Sequence, residues 1–117
     1  MANSWIVTLA EGVAEAIALA EGADLDPRLF LEAVAGGPLD APYLQMKGQA
    51  MIERDFEPSF RLALAAKDAA LAQELAERHD LDLPLVRTIC KRLAEAVGEH
   101  GDEDLAATFL TSAPSKS

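Results

Sequence analysis

Apolar residues recur at three- and four-residue intervals along most of this chain, and no convincing alternating segment predicts a strand. Ile6, Leu9, Val13, Ala16, Ile17 and Ala20 line one face of a first helix over about residues 3–21, with Glu11 and Glu15 away from that stripe. No capping residue precedes Trp5, so this helix reads as one cut at its N-terminus. Asp26 and Pro27 are a natural N-cap and first helical residue for a short second helix, whose apolar face is Leu29, Phe30, Ala33 and Val34. Gly36, Gly37 and Pro38 stop it, because glycine takes the left-handed cap conformation at little cost. Asp40 is placed to cap a third helix over about 41–52, carrying Tyr43, Leu44, Met46, Met51 and Ile52. Residues 53–58 read as a loop, and Ser59 as the cap of the longest helix, about 60–79. Pro84 sits at the start of a fifth helix that reaches about residue 99 and ends at Gly101. Asp102 is expected to cap a last short helix through Thr111, leaving 113–117 as a frayed tail. The expected fold is therefore all-α: about six helices packed as one bundle over residues 1–112.

Composition agrees, being rich in Ala, Leu and Glu and poor in aromatic and β-branched residues. Charge narrows the list of partners. Ten Lys plus Arg stand against 20 Asp plus Glu, a net charge of -10 that repels phosphate backbones and anionic lipid. The basic residues form no stripe, so no nucleic acid is expected as a partner. No apolar stretch has the uninterrupted length of a membrane span. Cys90 is alone and can form neither an internal disulfide nor a cysteine-based metal site. With no signal peptide evident, a cytoplasmic location is the expectation.

Several chemistries are missing from the pattern. No glycine-rich phosphate loop follows a strand, and no Gly-x-Ser-x-Gly elbow occurs. His79 and His100 lie near helix ends without ligand spacing and read as helix-end cations, so no metal is expected. The Glu11/Glu15 pair reads as a solvated helix face.

Two positions stand out. Phe60, Leu64, Leu71 and Leu75 form an apolar stripe on the fourth helix, and Lys67 points along its middle. A charge there costs free energy unless it snorkels to water or meets a partner. Lys67 either snorkels at the bundle edge or reaches an anion supplied by another domain or a cofactor, with Asp68 beside it as an orienting group or plain surface charge. Asn3, one turn before Ile6 and Val7, is either an idle polar residue or a hydrogen-bonding group for a polar ligand.

An ordered series of short motifs then links these positions. Ala2-Asn3-Ser4-Trp5, Glu11-Gly12-Val13-Ala14-Glu15-Ala16, Leu25-Asp26-Pro27, Lys47-Gly48, residues 54–60, Ala66-Lys67-Asp68, Leu83-Pro84-Leu85 and residues 101–104 resemble, in order, the C-terminal domain of β-hydroxyacid dehydrogenases. That family includes 3-hydroxyisobutyrate dehydrogenase and the glyoxylate and succinic semialdehyde reductases, and is related to 6-phosphogluconate dehydrogenase. The resemblance implies a two-domain enzyme in which a Rossmann domain binds NAD or NADP, while an all-helical domain closes the cleft over a small hydroxyacid and contributes to a homodimer. It implies that Asn3 is the Asn of the family's Lys-x-x-x-Asn motif and helps hold the substrate, that Lys67 reaches the cofactor, and that Asp68 and Phe60 belong to the substrate side. The catalytic lysine of that motif would fall before Met1, so no catalytic residue is expected in this chain, nor a cofactor bound by it alone. Two departures are visible: Asp24 and Asp80 stand where relatives tend to have glycine, and aspartate tolerates the left-handed conformation better than most residues. The rivals are a helical dimerisation or interaction module without catalysis, and a fragment of an imine reductase.

Overall fold

The computed structural model describes residues 1–114. Five α-helices follow one another: α1 (Ala2–Gly22), α2 (Arg28–Val34), α3 (Pro42–Glu53), α4 (Leu62–Arg78) and α5 (Pro84–His100), and a 3₁₀ helix (Leu105–Thr111) ends the series. No strand occurs among the described residues, so the all-α expectation holds. The 3₁₀ helix is the centrepiece. Its residues Leu105 to Phe109 are all buried, and it packs on α1, α3, α4 and α5. On one side, Phe109 and Ala106 join Val13, Ile17, Leu31 and Met51; on the other, Leu105 joins Val7, Ala10, Ala65, Ala69 and Leu93.

Chain reversals follow local chemistry. Asp24 (φ 59°) and Asp80 (φ 55°) both take the left-handed conformation, as their short polar side chains allow, and Gly36 (φ 72°) does so after α2. Asp26 Oδ1 accepts from Arg28 N at 3.0 Å, so the start of α2 lies within a residue of its expected place. Asp40 departs from its expected role: Ala41 is the N-cap of α3, and the Asp40 carboxylate accepts from the amides of Gly36 and Ala41 and from Gln45 Nε2. Two further caps also differ from expectation. Asp104 caps the 3₁₀ helix, accepting from Ala106 N, while Asp102 is exposed. Helix α4 begins at Leu62 with Arg61 as its N-cap and no side-chain cap; Ser59 lies ahead of it, its amide and hydroxyl both donating to Asp104 Oδ1. Of the tail expected over 113–117, Ala113 is half-buried against the Phe109 cluster, and residues 115–117 lie outside the described residues.

The buried faces are turned from those the large side chains suggested. In α1 the interior residues are Val7, Ala10, Glu11, Val13, Ala14 and Ile17; in α4 they are Leu62, Ala65, Ala69 and Ala76; in α2 only Leu31 is buried, and Leu29 is exposed. Alanine weighs little in a hydrophobic pattern, yet it lets helix backbones approach closely, and that packing decides the orientation.

Glu11 is thus a correction: it is 3% exposed, and Thr108 Oγ1 donates to its Oε1. Its Oε2 is buried without a partner. Glu15 is exposed, as expected. Burial raises the Glu11 pKa, opposed by the Thr108 bond and Arg92 and reinforced by Glu15 and Glu95. A raised folded-state pKa means the native state binds the proton more tightly, so this stabilisation is complete below 4.5 and is lost as pH rises above it. Glu11→Gln is therefore expected to stabilise the domain at pH 7 by about 1 kcal/mol, the low end of an unsatisfied buried group's cost. The gain should shrink toward pH 4; thermal melts at both pH values check it, and no gain at pH 7 contradicts it.

Candidate functional site

The first turn of α1 lies across the middle of α4. Asn3 Nδ2 donates to Asp68 Oδ2 at 2.8 Å, joining residues 65 positions apart in sequence. A cleft of about 210 Å³ opens there, bordered by Asn3, Ser4, Asp68, Leu71 and Leu75. It adjoins an apolar groove of about 250 Å³ between Met1, Leu75, His79, Leu81 and Leu83.

The row that the sequence marks as an apolar stripe is the outer face of α4. Leu64, Leu71 and Leu75 are 52%, 50% and 44% exposed. Lys67 lies in that row and is itself exposed, and no hydrogen bond or ion pair joins it to another described residue. The greasy surroundings inferred for its ammonium are therefore an uncovered leucine surface, not a core. Phe60 sits apart: it precedes α4, is half-buried against the Val7–Leu105 cluster, and donates its amide to Asp104 Oδ1 at 3.0 Å. Asn3 and Asp68 thus meet directly, with Lys67 next to Asp68 in sequence and on the exposed row, while Phe60 lies seven positions before Lys67, beyond the residues bordering the Asn3 cleft.

Sequence reasoning passed over a second constellation. Lys47 and Asp104 are each 2% exposed and form an ion pair at 2.7 Å. Asp104 also accepts from Ser59 N (3.0 Å), Phe60 N (3.0 Å) and Ala106 N (2.9 Å), and Lys47 lies 3.3 Å from Ser59 Oγ. Burial alone would raise the Asp104 pKa, but the bonds from Lys47 and the Ala106, Phe60 and Ser59 amides outweigh it and hold it below 3.8. The Lys47 ammonium also lies 5.2 Å from the centroid of the Tyr43 ring. A cleft of about 520 Å³ borders this pair, with Glu53, Asp55 and Glu57 along its rim. Leu44, Lys47, Gly48 and Met51 at helical spacing were the available signal, since they put Lys47 on the buried face of α3.

Both histidines are at helix ends. His79 is the C-terminal cap of α4, and His100 closes α5 with Nδ1 2.5 Å from Glu103 Oε1. Among the described residues no group of three or more His, Cys, Asp or Glu could hold a metal ion, and no helix is long and apolar enough to cross a membrane.

Residues 1–111 match the family model described as NAD-binding of NADP-dependent 3-hydroxyisobutyrate dehydrogenase. The chain is 36% identical over 114 residues to the 2-hydroxy-3-oxopropionate reductase of Escherichia coli, covering 97% of this chain and 39% of that protein. It is 30% identical over 109 residues to the chloroplastic glyoxylate/succinic semialdehyde reductase 2 of Arabidopsis thaliana, covering 92% of this chain and 30% of that one. The fold superposes on a 3-hydroxyisobutyrate dehydrogenase from Salmonella typhimurium with a TM-score of 0.86 at 22% identity, over 93% of this chain and 39% of that structure. The chain therefore spans less than half the length of each.

Proposed function

The chain belongs to the family of the NAD-binding domain of NADP-dependent 3-hydroxyisobutyrate dehydrogenase, and from that premise we propose that it is the helical half of an NAD(P)-dependent oxidoreductase acting on a small β-hydroxyacid or aldehyde acid. The observation that carries this is the Asn3–Asp68 bond beside an unpaired Lys67 on an uncovered leucine face. An exposed ammonium among leucines fits an anionic or polar group brought by a ligand or another domain, so Lys67 is assigned to the cofactor. Asp68 engages one Asn3 amide proton and so fixes the carboxamide, leaving its Oδ1 and second N–H for a polar substrate. Phe60, outside the residues that border the Asn3 cleft, is assigned to the substrate side on the family resemblance. A bound nicotinamide supplies the hydride chemistry. General acid–base work at the substrate oxygen is assigned to a lysine outside this chain, so the 117 residues alone are expected to show no turnover. A cytoplasmic homodimer is part of the proposal, with the apolar rows on α4 and around Leu81 and Leu83 as surfaces that favour association. The net charge of -10 argues against nucleic acid or anionic membrane as a partner.

A chimera tests the assignment. This chain replaces the matching part of the Escherichia coli 2-hydroxy-3-oxopropionate reductase, and NADH or NADPH oxidation is followed with 2-hydroxy-3-oxopropionate. Turnover is expected, and Lys67→Glu should raise KM for the dinucleotide by roughly ten- to a hundredfold, the worth of one charge-assisted hydrogen bond. A folded, dinucleotide-binding chimera without turnover would leave only the rival helical interaction module. Turnover on an imine in place of the aldehyde acid would favour the imine-reductase alternative.

A further inference from the structure

We propose that Glu11 and Arg92 form a proton-operated switch at the C-terminal end of the 3₁₀ helix: Arg92 holds Ser112 while Glu11 carries a proton, and turns inward to Glu11 when that proton leaves. The switch is independent of the proposed function and uses none of Asn3, Phe60, Lys67 or Asp68. Past Ala106, two hydrogen bonds join the 3₁₀ helix and its C-cap to other helices among the described residues. Thr108 Oγ1 donates to Glu11 Oε1 on α1, and Arg92 Nη2 on α5 donates to Ser112 Oγ at 3.4 Å. Glu11 and Arg92 are thus the two charged groups that grip this end, and no hydrogen bond or ion pair joins them to each other.

Glu11 is 3% exposed, and its Oε2 is buried without a partner. An ionised carboxylate in that position is far costlier than a protonated one, because the neutral group escapes most of the desolvation penalty. The arrangement seen here has Arg92 turned away to Ser112, with Nη1 3.5 Å from Glu95 Oε2, and so fits a Glu11 that carries a proton. Once the proton leaves, Oε2 bears unpaired charge. Arg92 is the cation that faces it; Glu15 on α1 and Glu95 on α5 face it too and oppose ionisation, while residues 105–111 carry no ionisable group. Arg92 also has room to move, since it borders an open cleft of about 390 Å³ with Glu15, Thr111 and Ser112. Its present bonds are weak, one long and one open to water, so they yield to a buried charge. Turning inward releases Ser112, whose amide closes the helix on Phe109 O at 2.9 Å. The other end does not follow. Against the effect of burial, Lys47 and three amides hold Asp104 below 3.8 and keep it ionised throughout. One end of the 3₁₀ helix therefore responds to pH while the other stays fixed.

Nuclear magnetic resonance on the isotope-labelled full chain, titrated from about pH 4 to about pH 8, tests the switch. The Glu11 carboxyl carbon is expected to titrate above 4.5, and the Arg92 Nε and Ser112 amide signals to move with the same midpoint. The exchange protection of the Ser112 amide should fall roughly two- to tenfold across it, the worth of one hydrogen bond. Glu11→Gln, neutral at every pH, should hold Arg92 and Ser112 at their acid-side positions. Glu15→Gln should lower the shared midpoint without splitting it, because Glu15 opposes ionisation of Glu11. Arg92 and Ser112 signals that stay fixed while Glu11 titrates would overturn the switch, and so would their movement persisting in Glu11→Gln. Should Glu11→Gln not fold, the parent titration decides by itself whether the three signals share a midpoint.

Discussion

Asp104→Ala is expected to lower the stability of the domain by about 3–5 kcal/mol, the cost of removing one partner of a buried ion pair. The comparison with the whole is severe, since a domain of this kind has about 5–15 kcal/mol in total. Three losses act together. The Lys47 ammonium, 2% exposed, is left without its counter-ion. The amides of Ser59, Phe60 and Ala106 lose their acceptor. The start of the 3₁₀ helix loses its only side-chain cap. Desolvation dominates, because an unpaired buried charge costs more than the neutral bonds it breaks. Urea denaturation checks the figure, and a loss under about 1 kcal/mol would contradict it. The double variant Lys47→Met/Asp104→Leu is expected to recover much of the loss, since an apolar pair of similar volume can replace a buried ion pair. Acid gives an independent readout. The Asp104 pKa lies below 3.8, so the native state binds its proton less tightly than the unfolded chain does. Its contribution is complete above 3.8 and is lost as pH falls below it. The alanine variant should lack that part of the acid transition.

The helices were legible because their punctuation is local. Pro84 opens α5, Gly36 ends α2 with a positive φ, and Asp24 and Asp80 take the left-handed turns expected of them. What the pattern could not give was which face turns inward. In α4 the leucines carry the hydrophobic signal, yet Ala65, Ala69 and Ala76 make the contact with the rest of the bundle. The pattern weighs side-chain size, whereas helix contact is also decided by how closely backbones approach. The same error hid Glu11, whose burial depends on Thr108 arriving from the other end of the chain. Such long-range pairings leave no trace in local periodicity.

At the candidate site the outcome divides along the same line. Lys67 was visible as an irregularity within a stripe, and the stripe proves to be surface. The Asn3–Asp68 bond was not visible, because 65 residues separate its ends. Lys47 had a local signal, but its partner Asp104 lies 57 positions away and reads as the last of three consecutive acids, Asp102, Glu103 and Asp104. A surface row of leucines beside a free ammonium has a physical meaning that a core row would not: it is area left to be covered, with a charge ready for whatever covers it.

The second large effect concerns the other end of the 3₁₀ helix. Phe109→Ala is expected to cost about 3–5 kcal/mol, the range for emptying a buried aromatic site. Phe109 is 0% exposed and sits at the meeting point of α1, α3 and the 3₁₀ helix, among Ile17, Leu31 and Met51. Arg54 adds a second term. Its guanidinium carbon lies 4.6 Å from the ring centroid, and its nitrogens reach Glu21 at 2.7 and 2.9 Å. Arg54 is also held at φ 54°, which a branched or long side chain rarely adopts without tertiary support. The cation–π contact is worth about 0.5–1 kcal/mol at a partly exposed site, so the cavity dominates. Phe109→Leu separates the two: it keeps most of the volume, removes the ring, and should cost about 1.5 kcal/mol or less for the packing change. With roughly 4 °C per kcal/mol, thermal melts should place the alanine variant more than about 10 °C below the parent and the leucine variant within about 8 °C of it. Equal losses for the two would mean that the ring face under Arg54, not the filled volume, holds this end of the domain. Neither substitution touches Asn3, Lys67 or Asp68, so a chimera carrying Phe109→Leu should keep both KM values.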